Sequence, residues 1–225
     1  AVKYDDSKEP MRYRTAFLLL IICFIALVLF CYFAGMSLWA ILVFYALFYI
    51  LAIAIGRVRV ELGPPYHEVI GINPRQMMVD MFGSRRLSGN NLTILTFLYA
   101  FNRCNRAHPM PNQLESLKIG ERSGMDNRKL IQALSLGIGV GAIATFWSYL
   151  QFAYKYGVLT QLRGTMGWFG WENFNPLQTW LQYPQGTNLP AVGFMSAGFI
   201  FVVFLYIMRI RFLWWPLHAS GYVLS

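Results

Sequence analysis

Two arginines followed closely by a histidine form the most chemically suggestive pattern in this sequence of 225 residues. Arg103 and Arg106 are three positions apart, so on one helical face their guanidinium groups would clamp a carboxylate or a phosphate. His108 follows them, and an imidazole titrates near neutral pH, which suits a proton relay. The alternatives are arginines that contact lipid phosphates at a membrane edge and a histidine with a purely structural hydrogen bond. The sequence leaves both interpretations open.

Amide side chains stand at both ends of a short apolar segment, 92–101. Asn90 and Asn91 precede it and Asn102 follows it. Ten residues are too few to cross a bilayer, so the segment is either a re-entrant helix or a helix packed at the cytoplasmic surface or interface. In transporters, the amino-terminal ends of half-helices meet anionic solute groups. The three asparagines therefore join Arg103 and Arg106 as candidate solute-binding residues.

Carboxylates close to these residues would be needed for proton coupling. Glu61 and Glu115 are the candidates beside His108. The acidic residues are otherwise too scattered to nominate an acid–base pair. The chain also lacks the zinc-protease, nucleophile-elbow and phosphate-loop motifs, and its cysteines lack metal-ligand spacing. These observations predict a protein that is not an enzyme, with no metal and no cofactor.

The elements that must position these residues are membrane spans. Hydrophobic residues make up 56% of the chain and charged residues 13%, against about 25% in ordinary soluble domains. Residues 15–55 contain no charge at all, which is enough for two spans and a turn at 34–37. Two more uncharged segments meet the length requirement. The predicted spans lie near 15–33, 38–55, 132–154 and 190–208.

The distribution of Lys and Arg predicts the orientation. With four spans, 17 of the 19 basic residues lie on one side, because the loop 56–130 alone has eleven. Positive charge stays cytoplasmic, so both termini and this loop are predicted to be cytoplasmic, in a plasma or inner membrane. The net charge of +9 is then a topology signal, and no basic run interleaved with aromatics indicates nucleic-acid binding.

The long loop has sequence signals of its own structure. Asn73 followed by Pro74 predicts the start of a short helix that ends before Gly83. The prolines at 109 and 111 predict an extended stretch. On the opposite side, residues 155–189 are rich in Trp, Phe and Tyr, which predicts an interfacial aromatic layer.

The predicted fold class is all-α: one membrane domain over 1–225, a polytopic helix bundle of about four spans with a short re-entrant or interfacial helix. The chain begins without an initiator Met and stops in a segment typical of the entry to another span. These features predict a fragment of a larger protein. Its expected partners are the lipid bilayer, a small polar solute, and the remaining part of a larger transporter or other membrane subunits.

Two stretches resemble a known family. Residues 103–115 (RCNRAHPMPNQLE) and 208–222 (MRIRFLWWPLHASGY) look like an uncharacterised bacterial family of large polytopic membrane proteins, which is similar to the oligopeptide transporter superfamily. The second stretch departs from the expected pattern at Ala219, where proline is expected. The resemblance covers most of the chain, places it in the carboxy-terminal half of a longer protein, and implies a secondary transporter, proton-coupled, for peptides or related solutes.

Two functions from different classes follow. The leading hypothesis is a carrier for a peptide-like or other polar solute, with the residues named above at its site. The alternative is a non-transporting scaffold or anchor subunit that docks a partner through its basic cytoplasmic loop. A carrier requires the polar side chains of 90–108 within membrane depth, whereas a scaffold requires them outside the bilayer.

Overall fold

Eight helices account for almost all of the chain in a computed structural model that describes residues 11–63, 73–103, 108–157, 165–212 and 214–217. At 61–62 and 165–167 only the backbone is described. The helices are α1 (Tyr13–Phe33), α2 (Leu38–Leu62), α3 (Pro74–Phe82), α4 (Gly89–Asn102), α5 (Pro109–Arg122), α6 (Asn127–Tyr156), α7 (Thr165–Gln182) and α8 (Leu189–Arg211). These ranges contain no strand, and the all-α prediction is confirmed.

Four of the helices are long and apolar enough to cross a membrane: Tyr13–Phe33, Leu38–Val60, Asn127–Tyr156 and Leu189–Arg211. They coincide with the four predicted spans. The second one continues past the predicted end at residue 55, because Gly56, Arg57 and Arg59 are all accommodated in the helix. It ends at Gly63, whose φ of 59° is left-handed, a conformation that glycine adopts without strain.

The chain divides into two compact units. One comprises Ala1–Ala34 and Pro109–Pro176, and therefore α1, α5, α6 and most of α7. Within it α5 packs closely against the start of α6, since a Cβ added at Gly120 would lie 2.5 Å from Leu130 Cδ2. The other comprises Gly35–His108 and Leu177–Ser225, and therefore α2, α3, α4, the end of α7 and α8.

In the second unit, α2 and α8 run in the same direction. Their first residues are connected through the end of α3, since Trp39 packs edge-on against Phe82 and Asn188 bonds to Asp80. Near their far ends, Arg57 of α2 donates a hydrogen bond to the hydroxyl of Tyr206 in α8. Both helices therefore begin at the same end of the unit, as the predicted topology requires.

The short helices α3 and α4 form an antiparallel hairpin beside the first half of α2. The turn 83–88 lies at the end where α2 and α8 begin, because Asn91 bonds to Ser37. After the other end of the hairpin, His108 lies beside the middle of α2, with its ring centroid 5.8 Å from that of Phe48. From Asn91 to Asn102, and from Ser37 to Phe48, the chain rises by the same amount, about 16 Å.

One expectation about local structure is wrong. Pro109 and Pro111 do not hold the chain extended, because both lie in the first turn of α5, where the missing N–H groups need no partner. The aromatic-rich segment after residue 164 is helical as α7, with Pro176 inside the helix. No helix was predicted here because the segment contains several glycines and a proline. Its aromatic residues, which suggested a surface layer, are mostly exposed.

Candidate functional site

The hairpin turn is fastened to the chain segment that precedes α8, and we call this contact the tip junction (residues 80–85 and 185–188). The Asp80 carbonyl accepts from Asn188 N at 2.9 Å, and the Asp80 carboxylate accepts from Asn188 Nδ2 at 3.3 Å. Arg85 N donates to Gln185 O at 3.0 Å, and Gln185 N donates to Ser84 Oγ at 2.9 Å. The two segments thus exchange backbone hydrogen bonds over a separation of about one hundred residues.

Gly83 is the residue that permits this contact. Its φ of 76° is left-handed, and a Cβ at this position would lie 2.7 Å from Gly186 C and 2.8 Å from Gln185 O. Both atoms belong to the backbone and cannot move aside as a side chain can. Gly83 therefore ends α3, as its position after Phe82 predicts, and also lets the second segment approach.

Asn91 joins the start of α4 to the start of α2. Its Oδ1 accepts from Ser37 N at 2.8 Å, and its Nδ2 donates to Ser37 Oγ at 3.1 Å. The side chain is 1% exposed. The Ser37 side chain makes no capping hydrogen bond within α2. The amide of Asn91, 54 positions away in the sequence, binds the backbone N–H of Ser37 and so caps this helix. Its hydrogen-bonding groups are engaged within the protein.

Among the described residues of the unit, Arg75 is the most buried charged side chain, with 3% of its surface exposed. It occupies the first turn of α3, immediately after Pro74, and Asn73 caps this helix through Gln76 N at 2.8 Å. The guanidinium carbon lies 3.7 Å from the ring centroid of Tyr99 in α4 and 5.3 Å from that of Trp180 at the end of α7. Two aromatic rings therefore lie against this cation.

The position of Arg75 is costly in two ways. Burial of a full charge costs several kcal/mol before compensation, and a positive charge in a first helical turn is repelled by the helix dipole. Each desolvated cation–π contact returns about 2 kcal/mol. The two rings therefore offset part of the cost, together with the other interactions of this side chain.

Asn102 stands at the inner end of the hairpin, one helical turn beyond Tyr99 on the same face of α4. It is 1% exposed, and its Nδ2 donates to Leu98 O at 3.0 Å. Its Oδ1 is buried without a hydrogen-bond partner in the described part of the chain. Buried amide oxygens nearly always have a partner, so this one calls for an explanation such as a bound water, ion or ligand.

The sequence-predicted site residues fall into separate groups. Asn90 and Asn91 lie at the turn end of α4, and Asn102 and Arg103 lie about 16 Å away at its inner end, with His108 near the same level as Phe48. Asn90 is exposed and Arg103 is half-buried. Glu115 lies on α5 in the other unit, and Arg106 and the Glu61 side chain lie outside the described residues. The four proposed binding residues that the structure describes therefore do not form one cluster.

Sequence reasoning missed Arg75 and the aromatic rings around it. One signal was available: arginine directly after an Asn–Pro helix start places positive charge at the positive end of a helix. Helix formation does not favour that choice, so the residue needed another reason. Tyr99 and Trp180 had no comparable signal, because they come next to Arg75 only through the fold.

Four apolar helices and a shorter hairpin packed beside two of them define the class: this is a multi-pass α-helical membrane protein. The chain belongs to a family of unknown function (DUF6785), whose model matches residues 1–225. The expected membership of an uncharacterised family is thereby confirmed, while the bacterial source and the likeness to oligopeptide transporters stay predictions. No curated protein and no solved structure matches the chain.

Proposed function

We propose that the chain is part of a secondary carrier that moves a peptide-like or other polar solute across the membrane, with the α3–α4 hairpin beside its path. One observation carries the proposal: the interior of this hairpin is polar. Arg75, Asn91 and Asn102 are each at most 3% exposed on two short helices packed among apolar ones. Polar groups in such surroundings are costly and are typical of solute or ion pathways.

The length of the hairpin supports this proposal. The turn between two successive spans must lie at a membrane face, and Ser37 ends the turn between α1 and α2. Asn102 then lies about 16 Å inward, which is half of a hydrocarbon core of roughly 30 Å. The inner ends of α3 and α4 would meet near mid-depth, where carriers interrupt their helices and bind solutes.

His108 is the proposed proton-handling residue. Its ring lies against Phe48 in the middle of α2, half-buried and close to the inner end of the hairpin. Imidazole is a common proton shuttle in proteins, and His108 would couple proton movement to solute movement. A docking subunit would have no use for a titratable group at that depth.

Uptake into proteoliposomes tests the proposal. The full-length chain is reconstituted, and the uptake of labelled amino acids, dipeptides and tripeptides is measured with and without an inward proton gradient. We expect uptake above that of empty vesicles and acceleration by the gradient. His108→Ala should lose the acceleration, and Arg103→Ala should lower uptake itself.

Arg86→Ala is the matched control, because Arg86 is an exposed arginine of the hairpin turn. It should leave uptake unchanged. Absence of uptake for the whole panel, or full proton-coupled uptake in both the Arg103 and the His108 variants, contradicts the proposal. Stable capture of a soluble partner by the basic loop, without any flux, favours the docking-subunit alternative.

A further inference from the structure

The turn that joins α5 to α6 is held in place by close contacts, and we call this region the basic corner (residues 118–130). Gly124 turns the chain with a left-handed φ of 69°, and Met125 N then donates to Gly120 O at 2.9 Å. A Cβ added at Gly120 would lie 2.5 Å from Leu130 Cδ2. The end of α5 therefore lies directly against the first turns of α6.

The depth of the basic corner relative to a bilayer follows from α6. This helix is one of the four that are long and apolar enough to cross a membrane. Its residues 130–154 contain no charge, which at about 1.5 Å per residue is sufficient for a hydrocarbon core of roughly 30 Å. Arg128 and Lys129 come directly before this stretch. The basic corner therefore lies where the span meets the lipid headgroups.

Three basic side chains of the corner are exposed: Arg122, Arg128 and Lys129. None of the three makes a side-chain hydrogen bond or an ion pair within the part of the chain that the structure describes. The two acidic residues of the corner are already engaged, because Glu121 pairs with Lys118 and Asp126 caps α6. The corner therefore presents positive charge to its surroundings.

Two of these cations lie at an unfavourable place for the helix alone. Arg128 and Lys129 belong to the first turn of α6, where the helix dipole repels positive charge. An anion at the same place is attracted both by the two side chains and by the helix end. A phosphate group beside this turn would therefore convert a repulsion into an attraction.

Apolar side chains are exposed beside the cations. Ile119 has 62% of its surface exposed and Met125 has 57%. Ile119 is three positions before Arg122, so the two are neighbours on the surface of α5. Basic and apolar side chains that alternate at headgroup depth are typical of helices that lie in a membrane surface. A phospholipid matches both kinds of side chain.

We propose that the basic corner binds anionic phospholipids of the leaflet that it faces. Its three exposed cations bind headgroup phosphates, and Ile119 and Met125 contact the upper ends of the acyl chains. A lipid is the partner that fits because the corner already lies at the bilayer surface. The leaflet on the predicted cytoplasmic side is the one that contains anionic lipids. This site goes beyond the proposed carrier function and does not rest on it.

Titration of the purified full-length chain in neutral detergent tests the lipid selectivity. Dioctanoyl phosphatidylglycerol is the anionic probe, and dioctanoyl phosphatidylcholine has the same acyl chains without a net charge. The thermal unfolding midpoint is followed, because a ligand that binds only the folded chain raises it. We expect a saturable rise at several-fold lower concentrations of the anionic lipid. An equal response to the two lipids overturns the proposal.

Paired charge substitutions locate the binding. Arg128→Gln with Lys129→Gln should weaken phosphatidylglycerol binding by roughly 25-fold, since each basic residue at an anionic surface contributes about fivefold. Arg85→Gln with Arg86→Gln removes the same charge from exposed positions of the hairpin turn and should bind as the wild type does. Arg122→Gln, with Arg86→Gln as its control, repeats the comparison for one charge. Unchanged binding in the first pair and in Arg122→Gln, or equal weakening in both pairs, overturns the proposal.

The acyl-chain contact has its own comparison. Ile119→Gln should weaken phosphatidylglycerol binding, whereas Ile119→Leu stays apolar and should bind as the wild type does. Equal binding by the two variants overturns this contact. Because the side chain is exposed, neither variant should change the unfolding midpoint without lipid by more than a degree or two.

Two further probes separate a lipid from other anions. Glycerol phosphate has the phosphate without acyl chains, and hexaglutamate represents an acidic protein. Both should bind at least tenfold more weakly than phosphatidylglycerol. Equal or tighter binding of glycerol phosphate would indicate a site for soluble phosphate and overturn the proposal. Tighter binding of hexaglutamate would also overturn it and would favour the docking-subunit alternative.

The outcomes for this site and for the carrier are distinguishable. Lipid selectivity that depends on Arg128 and Lys129, without solute uptake, supports the site and removes the carrier. Uptake by a chain without lipid selectivity supports the carrier and removes the site.

Discussion

The helices α4 and α6 are both rich in apolar residues, but they relate to the rest of the chain in opposite ways. The first has 14 residues and buries six of them, of which three are polar (Asn91, Thr96 and Asn102). The second has 30 residues and buries none. Apolar character therefore indicates that a helix belongs in a membrane, but it does not indicate where the protein interior lies. In this chain the polar positions of the shorter helix mark that interior.

Small residues sharpen the difference. In α6, Gly137, Gly139 and Gly141 have nothing within 4 Å of an added Cβ. In the hairpin, an added Cβ at Gly83 meets three backbone atoms closer than 3 Å. The glycines of α6 leave a helix surface that lipid or another helix can approach closely. Gly83 is required because the backbone of residues 185–187 already packs against it.

The largest expected effect is at Gly83. Gly83→Ala should lower the free energy of unfolding by about 2–5 kcal/mol, because a left-handed φ and a clash with rigid backbone add together. Gly186→Ala, in the facing segment, has nothing within 4 Å and is the matched control. Denaturant titration in detergent measures both. Equal stability of the two variants would remove the distinction between a required and a permissive glycine.

The second effect is at Asn91. Asn91→Ala should cost about 1–3 kcal/mol, because Ser37 N loses its buried acceptor. The exposed neighbour Asn90, changed to Ala, should stay within about 0.5 kcal/mol of the wild type. The thermal unfolding midpoint with each variant checks this. A larger loss at Asn90 would show that the solvent-facing side of α4 is the more important one.

The third effect concerns α6, where the substitution should not lower the stability of the protein. Gly141→Ala should leave stability unchanged or raise it by up to about 1 kcal/mol, since alanine favours a helix and space is available. The same unfolding titration applies. If this substitution lowers stability, α6 has a close neighbour, and cross-linking of the purified protein then tests whether this is a second copy.

The smallest effect is expected on α5. Lys118 Nζ donates to Glu121 Oε2 at 2.7 Å, which lowers the pKa of that carboxyl. A lowered pKa stabilises the fold above the pKa of the unfolded carboxyl, and this stabilisation is lost as the pH falls through the lowered folded value. Because the pair is fully solvated, Lys118→Ala should barely change the pH dependence of unfolding. Lys129→Ala, at an exposed lysine of α6, is the control, and a clear difference between the two would contradict this.

Local rules were enough for much of the fold. Three uncharged stretches, of which 15–55 is long enough for two spans, predicted the four long helices, and Asn73–Pro74 with Gly83 predicted both ends of α3. The Asp126 cap also starts α6, where its side chain accepts from Arg128 N at 2.9 Å. In each case the cause lies within a few residues of the effect. The end of α2 was missed because Gly56 is tolerated inside a long helix and Gly63 terminates it instead.

The candidate site was harder to predict because its contacts are distant in sequence. Ser37 and Asn91 are 54 positions apart, and Ser84 and Gln185 are 101 apart. Asn91 had been chosen for its amide, yet the fold uses that amide as a cap. Arg75 lies 24 positions from Tyr99, so no sequence periodicity relates them. Composition identified the polar segment, whereas the fold decides which residue of it faces inward.

The tip junction also has a consequence for biosynthesis. The hairpin turn leaves the ribosome about one hundred residues before the segment around Gln185 that it bonds to. During that interval the Ser84 hydroxyl and the Arg85 backbone N–H must bind water, lipid headgroups or a chaperone. The final seating of the hairpin is therefore a late step, which follows the insertion of α6 and coincides with the arrival of α8. A chain stalled before residue 185 should have its three preceding long helices (α1, α2 and α6) inserted, while protease still cleaves the turn 83–88.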